Sequence, residues 1–223
     1  MKWNIKREIL PMAVLLILLA LSFYFYSQLP DTVPSHFGGS GAPNGYMGKL
    51  PFFLVFGGIV LGLYLLLTFI PLIDPFWKAI QPKYGLFLIF RDICMLFFAY
   101  IFVLVLIAAK RGSMPVEALN IGLGLMFVFI GNWLPKIPRN FFFGIRTPWT
   151  LASDVVWKKS HIVGGWLFVA AGIILIILSL AGINSPLTLI IILIPLVLIS
   201  AVIYPLIIYR RLQKEGKLAG PEL

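Results

Sequence analysis

Two groups of side chains in this sequence have the types and spacing to hold a ligand. The first is Asp31 and His36, five positions apart in a Pro- and Gly-rich stretch, 28–50. A carboxylate and an imidazole can share a metal ion or a cationic ligand, but structural zinc sites take four protein ligands and catalytic ones three. The competing reading is that both satisfy backbone groups of a turn-rich loop. The second group is basic: Arg139, Arg146, Lys158 and Lys159, in the stretch 135–161. Together they could form an anion site; alternatively they pair with lipid headgroups. Arg146 stands apart because it lies in a Gly144-Ile-Arg-Thr-Pro-Trp149 turn, where a forked guanidinium suits one fixed partner. The chain has no His-Glu-x-x-His, no Gly-x-Ser-x-Gly and no phosphate loop. No catalytic residue, metal or cofactor is expected, and the chain does not read as an enzyme.

What must position these residues is a membrane. Hydrophobic residues make up 61% of the chain and charged residues 12%, with a mean hydropathy of +1.01. A soluble domain carries about 25% charged residues, so half that figure leaves too little polar surface to cover a globule. Apolar stretches fall at 9–27, 51–73, 86–109, 116–134, 162–181 and 187–209. Each is long enough to cross a hydrocarbon core of roughly 30 Å at about 1.5 Å per residue. Backbone in hydrocarbon must satisfy its own hydrogen bonds, and no period-2 alternation points to a barrel. The expected fold is all-α, a polytopic membrane bundle of about six transmembrane helices. The first stretch follows Lys2, Lys6 and Arg7, as in a signal peptide. It is longer than an h-region and lacks a small-x-small cleavage site, so it reads as a retained helix. Cys94 is the single cysteine, which rules out a disulfide within the chain.

A net charge of +10 would raise nucleic acid as a partner for a soluble protein. Here it fits the positive-inside rule instead, and no nucleic-acid partner is expected. With the N-terminus inside, the inner segments hold Lys2, Lys6, Arg7, Lys78, Lys83, Arg91, Lys136, Arg139, Arg146, Lys158, Lys159, Arg210, Arg211, Lys214 and Lys217. The outer segments keep only Lys49, Lys110 and Arg111 of the 18 Lys and Arg. The expected topology is therefore N-in/C-in. That leaves an outer loop, 28–50, and an inner loop, 135–161, both long enough to suggest function. An intermediate inner loop, 74–85, would lie along the headgroups. By domain, 1–85 forms an N-terminal module with the first two helices and the outer loop. The remainder, 86–223, forms a four-helix region with the inner loop.

Local rules sharpen both loops. Pro30 and Pro34 impose extended backbone on the residues before them, and Asn44-Gly45 signals a type I′ turn, so the outer loop should form a small ordered cap. In the inner loop Pro135 and Pro138 end the fourth helix and Gly144 permits a tight bend. Thr147 fits an N-cap with Pro148 at the first helical position, and Trp149 and Trp157 fit headgroup depth. Arg91, Asp92 and Glu117 lie near enough to helix ends to snorkel. Asn120 and Asn132 could bond between helices. Gly58 with Gly62, and Gly124 with Gly131, should mark close helix contacts.

At its two long loops the sequence resembles the SdpI-type immunity protein family of bacteria and related prokaryotes. Leu29-Pro-Asp-x-Val-Pro-x-His-Phe37, then Gly41-x-Pro-x-Gly-Tyr46 and Lys49, is similar to an uncharacterised N-terminal module that often precedes the family domain. Gly131-Asn, Pro138-x-Asn-Phe-Phe-Phe-Gly-Ile-Arg-Thr-Pro-Trp-Thr-Leu151 and Val156-Trp-Lys-Lys-x-His161 are similar to the family signature. The resemblance implies a multi-pass protein of a prokaryotic cell membrane, with lipids around it. It also implies immunity to a secreted, membrane-active peptide toxin, with a cytoplasmic repressor protein as a signalling partner. On that reading Pro30, Asp31, Pro34, His36, Gly45 and Lys49 face the toxin or another ligand. Asn132, Pro138, Asn140, Gly144, Arg146, Trp149, Trp157 and His161 hold the bundle together or dock the partner. Two other classes stay open: a small transporter or exporter, which needs a polar path through the spans, and a sensor of lipid or envelope stress acting through the Arg146 loop.

Overall fold

The computed structural model describes residues 5–218. Its helices follow the apolar stretches because unbroken Leu, Ile and Phe leave the backbone no partner in hydrocarbon except itself. In chain order they are α1 (Ile9–Tyr26), α2 (Lys49–Phe69), a single turn α3 (Trp77–Ile80), α4 (Tyr84–Arg111), α5 (Val116–Trp133), another single turn α6 (Pro148–Leu151), α7 (Asp154–Leu180), α8 (Pro186–Val197) and α9 (Tyr204–Lys214). Strands β1 (Thr32–Phe37) and β2 (Pro43–Gly48) lie between α1 and α2. Six segments among the described residues are long and apolar enough to cross a membrane: Ile9–Tyr26, Lys49–Ile73, Trp77–Arg111, Val116–Lys136, Asp154–Leu180 and Pro186–Lys214. The all-α, six-span expectation is met. The last span is irregular. Pro195 lies inside α8, and a π-helical stretch, Leu198–Ile203, joins α8 to α9. Proline has no N–H to give the turn before it.

The chain divides into two compact units. One comprises Met1–Thr68 and Leu88–Gly122, the other Phe69–Phe87 and Leu123–Leu223. In the first, Phe52, Phe53, Phe56 and Phe102 form one aromatic cluster with centroids 5.0–5.9 Å apart. Val33 of β1 is fully buried in the same core. The strands pair antiparallel, Thr32 opposite Gly48 and Phe37 opposite Pro43. The turn is not at Asn44-Gly45, which lies within β2; it spans 38–42. There Gly38 N–H donates to Ala42 O (2.8 Å) and Gly41 takes φ +82°. The run Gly38-Gly-Ser-Gly41 reaches a left-handed conformation more easily than Asn44 does, so it captures the reversal. Gly41 also seats the hairpin. Met114 N–H donates to its carbonyl (2.8 Å), and a Cβ there would lie 2.7 Å from Met114 O.

In the second unit α5 and α7 meet backbone to backbone. A Cβ on Gly131 would fall 2.5 Å from Gly165 O, and one on Gly172 would fall 2.5 Å from Gly124 O. The partners run in opposite sequence order, so the crossing is antiparallel. The expectation of close contact is met at Gly124 and Gly131. It fails at Gly58 and Gly62, where an added Cβ would meet nothing within 4 Å. α2 buries the Phe53, Val60 and Leu67 face instead, and the two glycines lie off it.

Candidate functional site

The connection between α5 and α7 is folded by its side chains. Asn140 is fully buried, and its Oδ1 accepts from Phe142 N–H (3.0 Å) and Phe143 N–H (2.6 Å). Its Nδ2 donates to Pro138 O (2.9 Å). Gly144 follows with φ +95°, and a Cβ there would collide with the His161 ring. His161 is buried; its Nε2 accepts from Ile145 N–H (3.1 Å). The ring proton therefore sits on Nδ1, which donates to Trp157 O (2.8 Å). Trp157 stacks on that ring at 4.0 Å and donates its indole N–H to Ile137 O (3.1 Å). Thr147 caps α6 in a reciprocal capping box with Thr150, as its position before Pro148 suggests. Thr150 Oγ1 also donates to Ile145 O (2.8 Å).

Arg146 and Asn132 behave differently. Arg146 is exposed and donates to Phe141 O (2.6 Å), so its fixed partner is the loop's own backbone. Asn132 bonds back to Val128 O (2.8 Å) in its own helix rather than across to another. Trp149 is half-buried on α6. Asp74, buried and not singled out in the sequence, accepts from Phe76 N–H (2.8 Å) and Phe141 N–H (2.7 Å). It ties the turn before α3 to the connection.

These bonds frame a cleft of about 570 Å³, lined by Lys78, Lys83, Arg139, Asp154, Trp157, Lys158 and His161 together with Pro75, Phe76 and Pro135. Arg139 is buried. Its guanidinium lies over the Phe76 ring (4.7 Å), donates to Leu151 O (3.1 Å), and approaches Asp154 Oδ1 to 3.0 Å through Nε without hydrogen-bond alignment. Of the expected basic group, Arg139 and Lys158 reach the cleft, whereas Arg146 and Lys159 do not line it. Lys78 and Lys83 join from the intermediate loop.

The hairpin is the opposite kind of surface. Asp31 is almost fully exposed and pairs with Lys49 (3.0 Å), which also lies over the Tyr26 ring (5.0 Å). His36 Nδ1 meets Asn44 Oδ1 at 2.5 Å. Each side chain thus has its own side-chain partner, Asp31 in Lys49 and His36 in Asn44. Pro34 is buried, Pro30 exposed, and a Cβ on Gly45 would press on His36 Cβ at 3.1 Å. Among the described residues no three His, Cys, Asp or Glu side chains gather as metal ligands.

Sequence reasoning missed one cluster in the first unit. Arg91 does not snorkel; it is fully buried. It donates to Glu8 (3.1 Å), Thr68 Oγ1 (3.0 Å), Asp92 (2.9 Å) and Arg7 O (2.9 Å), and Tyr64 also donates to Glu8 (3.1 Å). The available signal was a charge inside an apolar stretch, by default a marked position in a span.

Six apolar spans, an ordered hairpin after the first and a side-chain-braced connection between the fourth and fifth define a polytopic α-helical membrane protein. Residues 136–209, holding the connection, match the SdpI/YfhL protein family, and residues 13–61, holding the hairpin, match a domain of unknown function (DUF1648). The immunity protein SdpI of Bacillus subtilis (strain 168) is 26% identical over 212 residues, covering 94% of this chain and 97% of that relative. Over residues 136–209 the chain is similar to the SdpI/YfhL family, and it is a multi-pass protein of a prokaryotic cell membrane. No solved structure matches it.

Proposed function

We propose that this protein is a non-catalytic immunity or sensor protein that protects its cell against a secreted, membrane-active peptide toxin. The carrying observation is a likeness to an immunity protein that runs through nearly the whole of both chains. The charge distribution supports an N-in/C-in orientation, with the hairpin outside and the connection inside. The hairpin suits recognition because Asp31, His36 and Tyr46 are exposed on a backbone held by its own ladder. The inner connection braces the helices and offers its exposed face, Arg146 included, to a cytoplasmic repressor. A transporter would need polar groups still available along the spans. The Arg91 cluster instead has its members bonded to one another, which supports a clasp.

The test is survival. Sensitive cells expressing the protein should outgrow cells without it when challenged with candidate membrane-active peptides. No gain with any peptide, at confirmed membrane levels, ends the immunity reading. A repressor–reporter fusion that stays cytosolic on co-expression would remove the signalling role alone.

A further inference from the structure

The cleft of the second unit carries charge that nothing described so far uses. Four cations line it, Lys78, Lys83, Arg139 and Lys158, against one carboxylate, Asp154. Arg139 and Asp154 lie 3.0 Å apart and offset each other. Among the described residues none of the three lysines forms an ion pair. Like charges around one cavity repel unless an anion enters, and a low-dielectric wall strengthens the field there. The wall is of that kind, with the rings of Phe76 and Trp157 and the prolines 75 and 135 facing the space.

Position narrows the chemistry. The lining is drawn from the ends of three candidate spans: Lys78 and Lys83 near the start of Trp77–Arg111, Pro135 at the end of Val116–Lys136, and Lys158 near the start of Asp154–Leu180. Span ends meet the membrane at headgroup depth, where basic pockets between helices take anionic heads. A volume of about 570 Å³ lies in the range of ligand pockets and exceeds what a chloride ion needs. The Arg139 guanidinium is held by Phe76 and Leu151, while a lysine carries its ammonium on a flexible four-carbon stem. One fixed fork with several adjustable ammonium groups suits a tetrahedral anion offering many acceptor oxygens.

We propose that this cleft is a phosphate site, taking either the headgroup of an anionic phospholipid or a free phosphate compound. The inference does not depend on a toxin. It would hold for a sensor or a transporter with the same cleft.

The experiment uses the full chain purified in an uncharged detergent. It is titrated in separate arms with short-chain phosphatidylglycerol, short-chain phosphatidylcholine and inorganic pyrophosphate, and binding is read by native mass spectrometry and calorimetry. The cleft variant carries Lys83→Ala and Lys158→Ala. Its charge-matched control carries Lys159→Ala and Lys214→Ala, which do not line the cleft. Saturable binding of phosphatidylglycerol but not phosphatidylcholine is expected. It should weaken tenfold or more in the cleft variant and stay within twofold in the control. Binding of the lipid alone assigns a headgroup, and binding of pyrophosphate as well assigns free phosphate. No saturable binding in either anionic arm, or equal loss in the control, overturns the proposal. If the double variant lacks a thermal transition, Lys83→Gln carries the same comparison.

Discussion

The hairpin of 32–48 and the connection of 137–153 are both ordered polar segments between apolar helices, built from opposite materials. In the hairpin the backbone does the holding, through a two-stranded ladder and the Gly41–Met114 bond, while Asp31, His36 and Tyr46 stay exposed. In the connection the side chains do the holding, and Asn140 and Thr150, with His161 of α7, are buried in the act. A segment folded by its own backbone leaves side chains available to a partner. One folded by its side chains has few to spare, which is why the proposed phosphate site is the cleft at its edge rather than the loop itself.

That contrast can be broken by experiment. The largest loss is expected from Asn140→Ala, which leaves a buried N–H group, a part-buried one and one carbonyl without their partner. Roughly 3–5 kcal/mol should disappear from the unfolding free energy in detergent. Gly144→Ala comes next, at about 2–3 kcal/mol, because its φ of +95° strains any Cβ and His161 occupies the space. His161→Phe keeps an aromatic ring on Trp157 but removes the acceptor for Ile145 N–H, and should lose about 1–3 kcal/mol, part of it restored by His161→Gln. If any of these three melts within a degree of the parent, the connection is not braced as described. The smallest effect on stability belongs to the hairpin. Asp31→Asn and His36→Ala should shift unfolding by less than about 0.5 kcal/mol, as exposed positions do. Under the immunity reading the same two variants lose protection at unchanged membrane levels. A hairpin variant that melts early yet still protects would reverse the comparison.

What could be read from the chain divides along the same line. The six spans follow from composition and length, and the Thr147–Pro148 cap and the bend at Gly144 obey rules that act over a few residues. Pairings across long separations had no such signal. Arg91 meets Glu8 from 83 positions away and Asp74 meets Phe141 from 67 away, so neither cluster announces itself in local spacing. Half of the cleft's cations escaped notice for the same reason, because Lys78 and Lys83 belong to a different loop from Arg139 and Lys158. The hairpin turn was misplaced because two local signals compete, Asn44-Gly45 and the glycine run before it. Only the alignment of His36 with Gly45 decides between them. Gly58 and Gly62 show that spacing names a helix face without saying what covers it.

The paired glycines of α5 and α7 have a consequence for how the connection is measured out. With Gly131 on Gly165 and Gly124 on Gly172, main chain rests on main chain at two points seven residues apart on each helix. No layer of side chains lies between them to be compressed or to slide, so the gauge of the crossing is that of the peptide backbone. The loop is strung across a span of fixed width, like a wire between two posts set in stone. Repacking elsewhere in the helices can retune what the wire carries, but it cannot move the posts.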